Sequence, residues 1–201
     1  MTTGDASKQS LAQDPNSLAG KILRLKLDGS IPADNPLPGN AYWTLGHRNP
    51  QGIVAHDNKV YISEHGPTSD DEINIVEKGR NYGWPNVEGY CDKTGEDGFC
   101  KEHNVKEPIK TWTPTIAPCG MDYYTSDRIP QWKNSLLLVA LKNQRLYQMK
   151  LNSARDGILT TNEYFVTKYG RLRDICIAPD GAVYIASSNG SNDKIIQIDR
   201  Q

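Results

Sequence analysis

The run Ile53-Val-Ala-His-Asp-Asn-Lys-Val-Tyr-Ile-Ser63 decides the fold. Two short β-rich pieces flank a polar turn that holds Asp57, and the second piece reads Val-Tyr-Ile. The same arrangement returns at Ile175-Cys-Ile-Ala-Pro-Asp-Gly-Ala-Val-Tyr-Ile-Ala186. Tyr61 and Tyr184 stand 123 positions apart, close to three times a propeller blade of about 41 residues. Between them, Ser135–Leu141 and Arg145–Leu151 form a further hairpin pattern around Asn143-Gln144. The expected fold is therefore all-β, a β-propeller. The alternative is an ordinary sandwich with two similar hairpins.

Outward from these hairpins, β-rich runs recur at Lys21–Leu27, Glu72–Val76, Tyr164–Thr167, Ala182–Ser187 and Lys194–Ile198, while helix signals are poor. At 201 residues the chain is expected to be one domain, with room for about four or five blades. Lys and Arg number 23 against 24 acids, so no global field favours nucleic acid or an anionic membrane. No apolar run approaches the ~20 residues that cross a bilayer. The four cysteines fit no CxxC zinc pattern. Cys91 and Cys100 bracket a polar loop that a disulfide would staple in an oxidising compartment, with two free thiols as the alternative. Cys176, in an apolar run, is expected to be a small core residue.

The chemistry-bearing residues begin at Gly46-His-Arg-Asn-Pro-Gln-Gly52, followed by Ser63-Glu-His-Gly-Pro67 and Asp70-Asp-Glu72. Arg48 offers a permanently charged fork suited to carboxylates or phosphates, with the amides of Asn49 and Gln51 beside it. Turn carbonyls next to acids suit a hard cation such as calcium. Lys142 follows a strongly apolar run, and Arg171 and Arg173 share one face of an extended chain. Taken singly, each of these cations reads as a solvated charge. Asp70, Asp71 and Glu72 read as structural acids that bond the loop's own amides.

This ordered set, continued through Asp70-Asp-Glu-Ile-Asn74 and Gly79-Arg-Asn-Tyr-Gly-Trp-Pro85, resembles the soluble glucose/sorbosone dehydrogenases, enzymes that use pyrroloquinoline quinone (PQQ). The resemblance runs from about Gly4 to the C-terminus and implies that residues 1–201 are part of a six-bladed propeller, the C-terminal portion of a longer enzyme. It places Arg48, Asn49, Gln51, Thr115, Lys142, Arg171 and Arg173 at cofactor-contacting positions. PQQ carries three carboxylates, which such a set of cations would neutralise. An active-site calcium would rest on the backbone carbonyls of Gly66 and Pro67. A second calcium, at a dimer interface in close relatives, would fall on Tyr82, Glu88, Tyr90 and Asp92. Asp5, His65 and Trp112 are weaker candidates for the sugar pocket. The family's general-base histidine maps onto none of His47, His56, His65 or His103. The implied activity is oxidation of an aldose at C1 to the lactone, with electrons passed to an external acceptor and a periplasmic or secreted location. The rival reading is a non-catalytic propeller module that binds a carbohydrate or a protein partner.

Overall fold

Alternation along the most apolar strand explains how the chain stacks. In a computed structural model, which describes residues 1–200, the strand Ser135–Ala140 is buried along its whole length. Leu136, Leu138 and Ala140 enter one core with Tyr61, Ile73, Met121 and Tyr147. Leu137 and Val139 point the other way, into a second core with Leu172, Ile175, Val183 and Ile185. Successive side chains of a strand leave opposite faces, so a strand apolar at every position belongs between two other sheets. A third cluster of Ile22, Ile62 and Val76 joins the next pair of sheets.

Among the described residues, fourteen strands form four antiparallel meanders. The first holds β1 (Thr2–Thr3), β2 (Lys21–Leu23) and β3 (Tyr42–Leu45). The second holds β4 (Pro50–His56), β5 (Lys59–Glu64), β6 (Asp71–Ile75) and β7 (Lys110–Trp112). The third holds β8 (Pro118–Tyr124), β9 (Ser135–Ala140), β10 (Arg145–Leu151) and β11 (Ile158–Tyr164). The fourth holds β12 (Leu172–Ile177), β13 (Val183–Ser187) and β14 (Ile195–Ile198). Adjacent β4, β8 and β12 are the inner strands. The protein is an incomplete β-propeller of four blades.

Several sequence expectations change in detail. The echoing hairpins are β4–β5 and β12–β13, two blades apart rather than three. The excursion between β6 and β7, which carries the short helix α1 (Glu96–Glu102), lengthens the second blade. The strand expected over Lys21–Leu27 stops at Leu23; Leu25 and Leu27 are exposed. Tyr164–Thr167 is the end of β11 and a turn, with Phe165 and Thr167 at positive φ of 57° and 56°. Cys176 is exposed, because its side of β12 has no covering sheet. Cys91 and Cys100 form the disulfide.

A buried cation fixes the segment before β2. The Lys21 ammonium is fully buried and donates to the carbonyls of Leu11 (2.8 Å), Ala12 (3.0 Å) and Ala19 (2.7 Å). Burial pulls its pKa down to about 8.

Candidate functional site

The strand ends converge because a meander returns each connection to one of two rims. Residues 46–49 precede β4, the Gly66-Pro67 turn follows β5, Thr115 precedes β8, Lys142 follows β9, and Arg171 precedes β12. In an antiparallel blade these positions all lie at the same rim. Asp5, just after β1, joins them through its N–H, which donates to the Arg48 carbonyl at 2.8 Å.

Hydrogen bonds then tie the predicted side chains together. Gln51 Nε2 donates to Asn49 Oδ1 (3.0 Å), and Arg173 Nη1 donates to Gln51 Oε1 (3.3 Å) across 122 residues of chain. Arg48 Nη1 donates to the His65 carbonyl at 3.3 Å, and its guanidinium lies 5.5 Å from the centre of the Trp84 ring. Trp84 Nε1 in turn donates to Asp5 Oδ2 at 2.9 Å. Lys142 Nζ donates to Thr115 Oγ1 at 2.9 Å. His65 Nε2 bonds the Pro118 carbonyl at 2.6 Å. Burial lowers the His65 pKa, and the nearby charges of Arg48 and Arg173 push the same way against Asp71. Arg171 and Arg173 both lie close enough to Cys119 to favour its thiolate, yet burial dominates and pushes that thiol up to about 11. Trp112 stands apart from this network, tilted against Tyr147 with ring centres 5.6 Å apart.

The turn at Gly66 is built from below by acids. Asp71, almost fully buried, accepts from the N–H groups of Gly66 (2.8 Å), Ile116 (2.6 Å) and Ala117 (2.7 Å). One carboxylate thus joins the β5–β6 turn to the loop that carries Thr115. A Cβ on Gly66 would lie 1.8 Å from the Ser69 carbonyl oxygen, so only glycine permits the turn. Glu72 accepts from Gly89 N–H at 2.9 Å and from Asn74 Nδ2 at 2.7 Å. Burial and the nearby Glu64 push the Glu72 carboxyl well above the usual range. Asp70 differs from the expectation: its carboxylate takes Ser69 Oγ, Thr113 Oγ1 and Lys93 Nζ rather than loop amides.

The two calcium expectations fare differently as donor sets. The Gly66 and Pro67 carbonyls accept no hydrogen bond from the described residues, which leaves both free for a cation. At the second place part of the donor set is already engaged. The Tyr90 carbonyl accepts Asp92 N–H at 2.9 Å, and Lys93 Nζ lies 3.1 Å from Glu88 Oε2 and 3.3 Å from Asp70 Oδ2. The Tyr82 hydroxyl donates to the Ile75 carbonyl at 2.6 Å. Among the described residues no cluster of three or more His, Cys, Asp or Glu side chains is arranged to hold a metal.

Sequence reasoning missed Glu64, His47 and Thr44, which lie directly behind Arg48. Glu64 accepts from the N–H groups of Arg48 and Asn49 and pairs with His47 Nδ1 at 2.8 Å. The available signal was an acid at the end of the Val-Tyr-Ile-Ser strand, where the echoing strand has Ser187.

A family profile described as Glucose / Sorbosone dehydrogenase matches residues 1–197. The chain belongs to this family. Among glucose/sorbosone dehydrogenases it is 34% identical to the aldose sugar dehydrogenase YliI of Escherichia coli, over 94% of this chain and 54% of that protein. It is 33% identical to quinoprotein glucose dehydrogenase B of Acinetobacter calcoaceticus, over 90% of this chain and 50% of that protein. The apo-form crystal structure of the Escherichia coli aldose sugar dehydrogenase superposes with a TM-score of 0.85 at 33% identity, covering 98% of this chain and 59% of that one. The PQQ-bound aldose sugar dehydrogenase of Streptomyces coelicolor gives 0.80 at 29% identity, covering 98% and 56%. The chain thus spans about half the length of the curated relatives it matches. No helix is long and apolar enough to cross a membrane among the described residues.

Proposed function

We propose that this chain forms the cofactor clamp and calcium turn of a PQQ-dependent dehydrogenase that oxidises an aldose at C1 to the lactone. The observation that carries this reading is the bonded set Asn49–Gln51–Arg173, with Arg48 and Lys142 on the same rim. Cations drawn from three blades around one axis suit a flat, multiply charged anion, because permanent guanidinium charge on a preorganised frame costs little to reorganise on binding. Arg48 and Arg173 would take carboxylates by charge-assisted hydrogen bonds, with Lys142 as a point charge held by Thr115. The free carbonyls of Gly66 and Pro67 would hold calcium. When bound, PQQ supplies the hydride acceptor and calcium the Lewis acid that polarises it.

No described histidine stands as an unengaged general base on the rim. His47 is buried behind Arg48, His65 is bonded to Pro118, His56 is stacked 3.7 Å from Tyr123, and His103 packs 4.1 Å from Phe99. In this reading Asp5 and His65, on the rim, would meet the sugar. Electrons would then pass to an external acceptor, and the disulfide accords with a periplasmic or secreted setting.

Titration with PQQ and calcium, followed through the quinone absorbance, tests the clamp. The chain is expected to bind PQQ, with affinity falling roughly 100-fold in Arg48→Ala, the size of a lost charged contact. Absence of PQQ binding would favour the partner-binding module instead. With glucose and a dye acceptor, turnover by this chain is expected to be lower by about 10²- to 10⁴-fold than in an enzyme with a positioned general base.

A further inference from the structure

Behind the rim, a buried polar chain leads from β3 to the Arg48–Asn49 backbone. Thr44 and His47 are fully buried and Glu64 is 4% exposed. Thr44 Oγ1 bonds His47 Nε2 at 2.8 Å, His47 Nδ1 bonds Glu64 Oε2 at 2.8 Å, and Glu64 Oε1 accepts both the Arg48 and Asn49 N–H groups. A carboxylate only accepts, so the His47 proton on Nδ1 faces Glu64. The imidazole is stacked on Tyr82, ring centres 4.5 Å apart, and the Tyr82 hydroxyl is itself tied to the Ile75 carbonyl and Glu77 N–H. No link of the chain is free to turn.

The backbone around Glu64 grips the same two residues from the other side. His65 N–H donates to the Asn49 carbonyl at 3.2 Å, and the His65 carbonyl accepts Arg48 Nη1. Residues 48 and 49 are therefore held at both N–H groups, at one carbonyl and at one side chain by Glu64 at the end of β5 and by His65 just after it. An acid placed behind a cation meant for an anion works against binding by simple charge. Its position is explained by geometry: two adjacent, part-buried N–H groups share one acceptor, and that acceptor is itself buried against His47.

We propose that Thr44, His47 and Glu64 form a positioning relay that fixes the Arg48–Asn49 backbone in the shape that grips the anionic cofactor. The relay acts through Arg48 and Asn49 and touches no ligand itself. It rests on the clamp reading for its purpose, but its existence is testable without ligand. In ¹⁵N-labelled full chain, the His47 Nδ1 proton is expected as a slowly exchanging low-field signal, with the Arg48 and Asn49 amide protons displaced downfield. In the isosteric Glu64→Gln variant that imidazole signal is expected to vanish, because an amide N–H₂ now faces Nδ1, and both backbone signals are expected to move upfield. PQQ affinity in the presence of calcium should fall about tenfold in Glu64→Gln and further in Glu64→Leu, consistent with loss of a charged acceptor and then of any acceptor. Should Glu64→Leu fail to fold, Glu64→Gln decides alone. Unmoved Arg48 and Asn49 amides in Glu64→Gln, or wild-type PQQ affinity in that variant, would overturn the relay. A wild-type chain that shows the predicted signals yet binds no PQQ would leave the relay standing and remove the clamp.

Discussion

The β5–β6 turn and the loop from Asn86 to Glu107 are neighbours in the second blade, yet they are held differently. The turn relies on buried carboxylates aimed at backbone N–H groups: Asp71 on Gly66, Ile116 and Ala117, and Glu64 on Arg48 and Asn49. The loop takes carboxylates one N–H at a time, Glu72 on Gly89, Glu107 on Cys91 and Glu96 on Lys93, and adds the Cys91–Cys100 disulfide and the surface pairs of Lys93 with Asp70 and Glu88. A buried acid accepting several N–H groups sets atom positions tightly, because each misplaced amide would go unpaired. A cross-link restricts a loop mainly through its unfolded states and leaves the folded atoms freer. Precision is concentrated where the proposed ligands sit, and the adjoining loop is merely confined.

The comparison predicts its largest effect at Asp71. Asp71→Leu strands three N–H groups, that of Ile116 buried and those of Gly66 and Ala117 part-buried, and is expected to destabilise the chain by about 3–5 kcal/mol. Urea unfolding measures this, and amide exchange at Gly66, Ile116 and Ala117 should rise together. If only one of the three responded, Asp71 would not be the shared anchor.

Reduction of the disulfide should be milder and local. Chain-entropy reasoning for the nine-residue separation of Cys91 and Cys100 gives at most about 2–3 kcal/mol. With reductant, or in Cys91→Ser/Cys100→Ser, proteolysis is expected to quicken within residues 88–107 while PQQ affinity stays within about twofold of wild type. An equal loss of cofactor binding would show that the loop also shapes the rim and would dissolve the contrast.

The same contrast sets what was legible from residues alone. The β4–β5 and β12–β13 hairpins announce themselves because their buried faces repeat Val-Tyr-Ile. β8 does not: Pro118, Gly120 and Asp122 argue against a strand, and sheets on both sides impose the conformation. The count of about four or five blades held at four, but the spacing of the echoing hairpins, read as three blades, is two because the excursion with α1 adds length without adding a sheet. For the site, the cations carry a motif and were readable through resemblance. Glu64 and His47 lie inside that motif, but their roles depend on contacts 15 to 17 residues apart. Neighbouring backbone carbonyls such as those of Gly66 and Pro67 leave no side-chain signature at all.

The smallest expected effect lies at Lys93, and it probes the loop half of the contrast most directly. Hydrogen bonds from Lys93, Thr113 and Ser69 outweigh burial and lower the Asp70 pKa, while the pairs with Glu88 and Asp70 raise that of Lys93. Asp70 is depressed in the fold, so its contribution is present above the unfolded carboxylate pKa and disappears as pH falls through the lowered folded value. Lys93→Gln should therefore cost less than about 1 kcal/mol at neutral pH, as expected for partly exposed ion pairs, and nothing once the carboxylates are protonated near pH 2–3. Denaturant unfolding of both proteins at the two pH values measures the difference. Amide exchange across Glu88–Lys93 adds the sharper reading, since millimolar calcium is expected to leave it unchanged in the wild type, where the ammonium already meets both carboxylates. A calcium-dependent slowing there would mean that the loop orders around an ion after all, and that Lys93 swings aside to admit it.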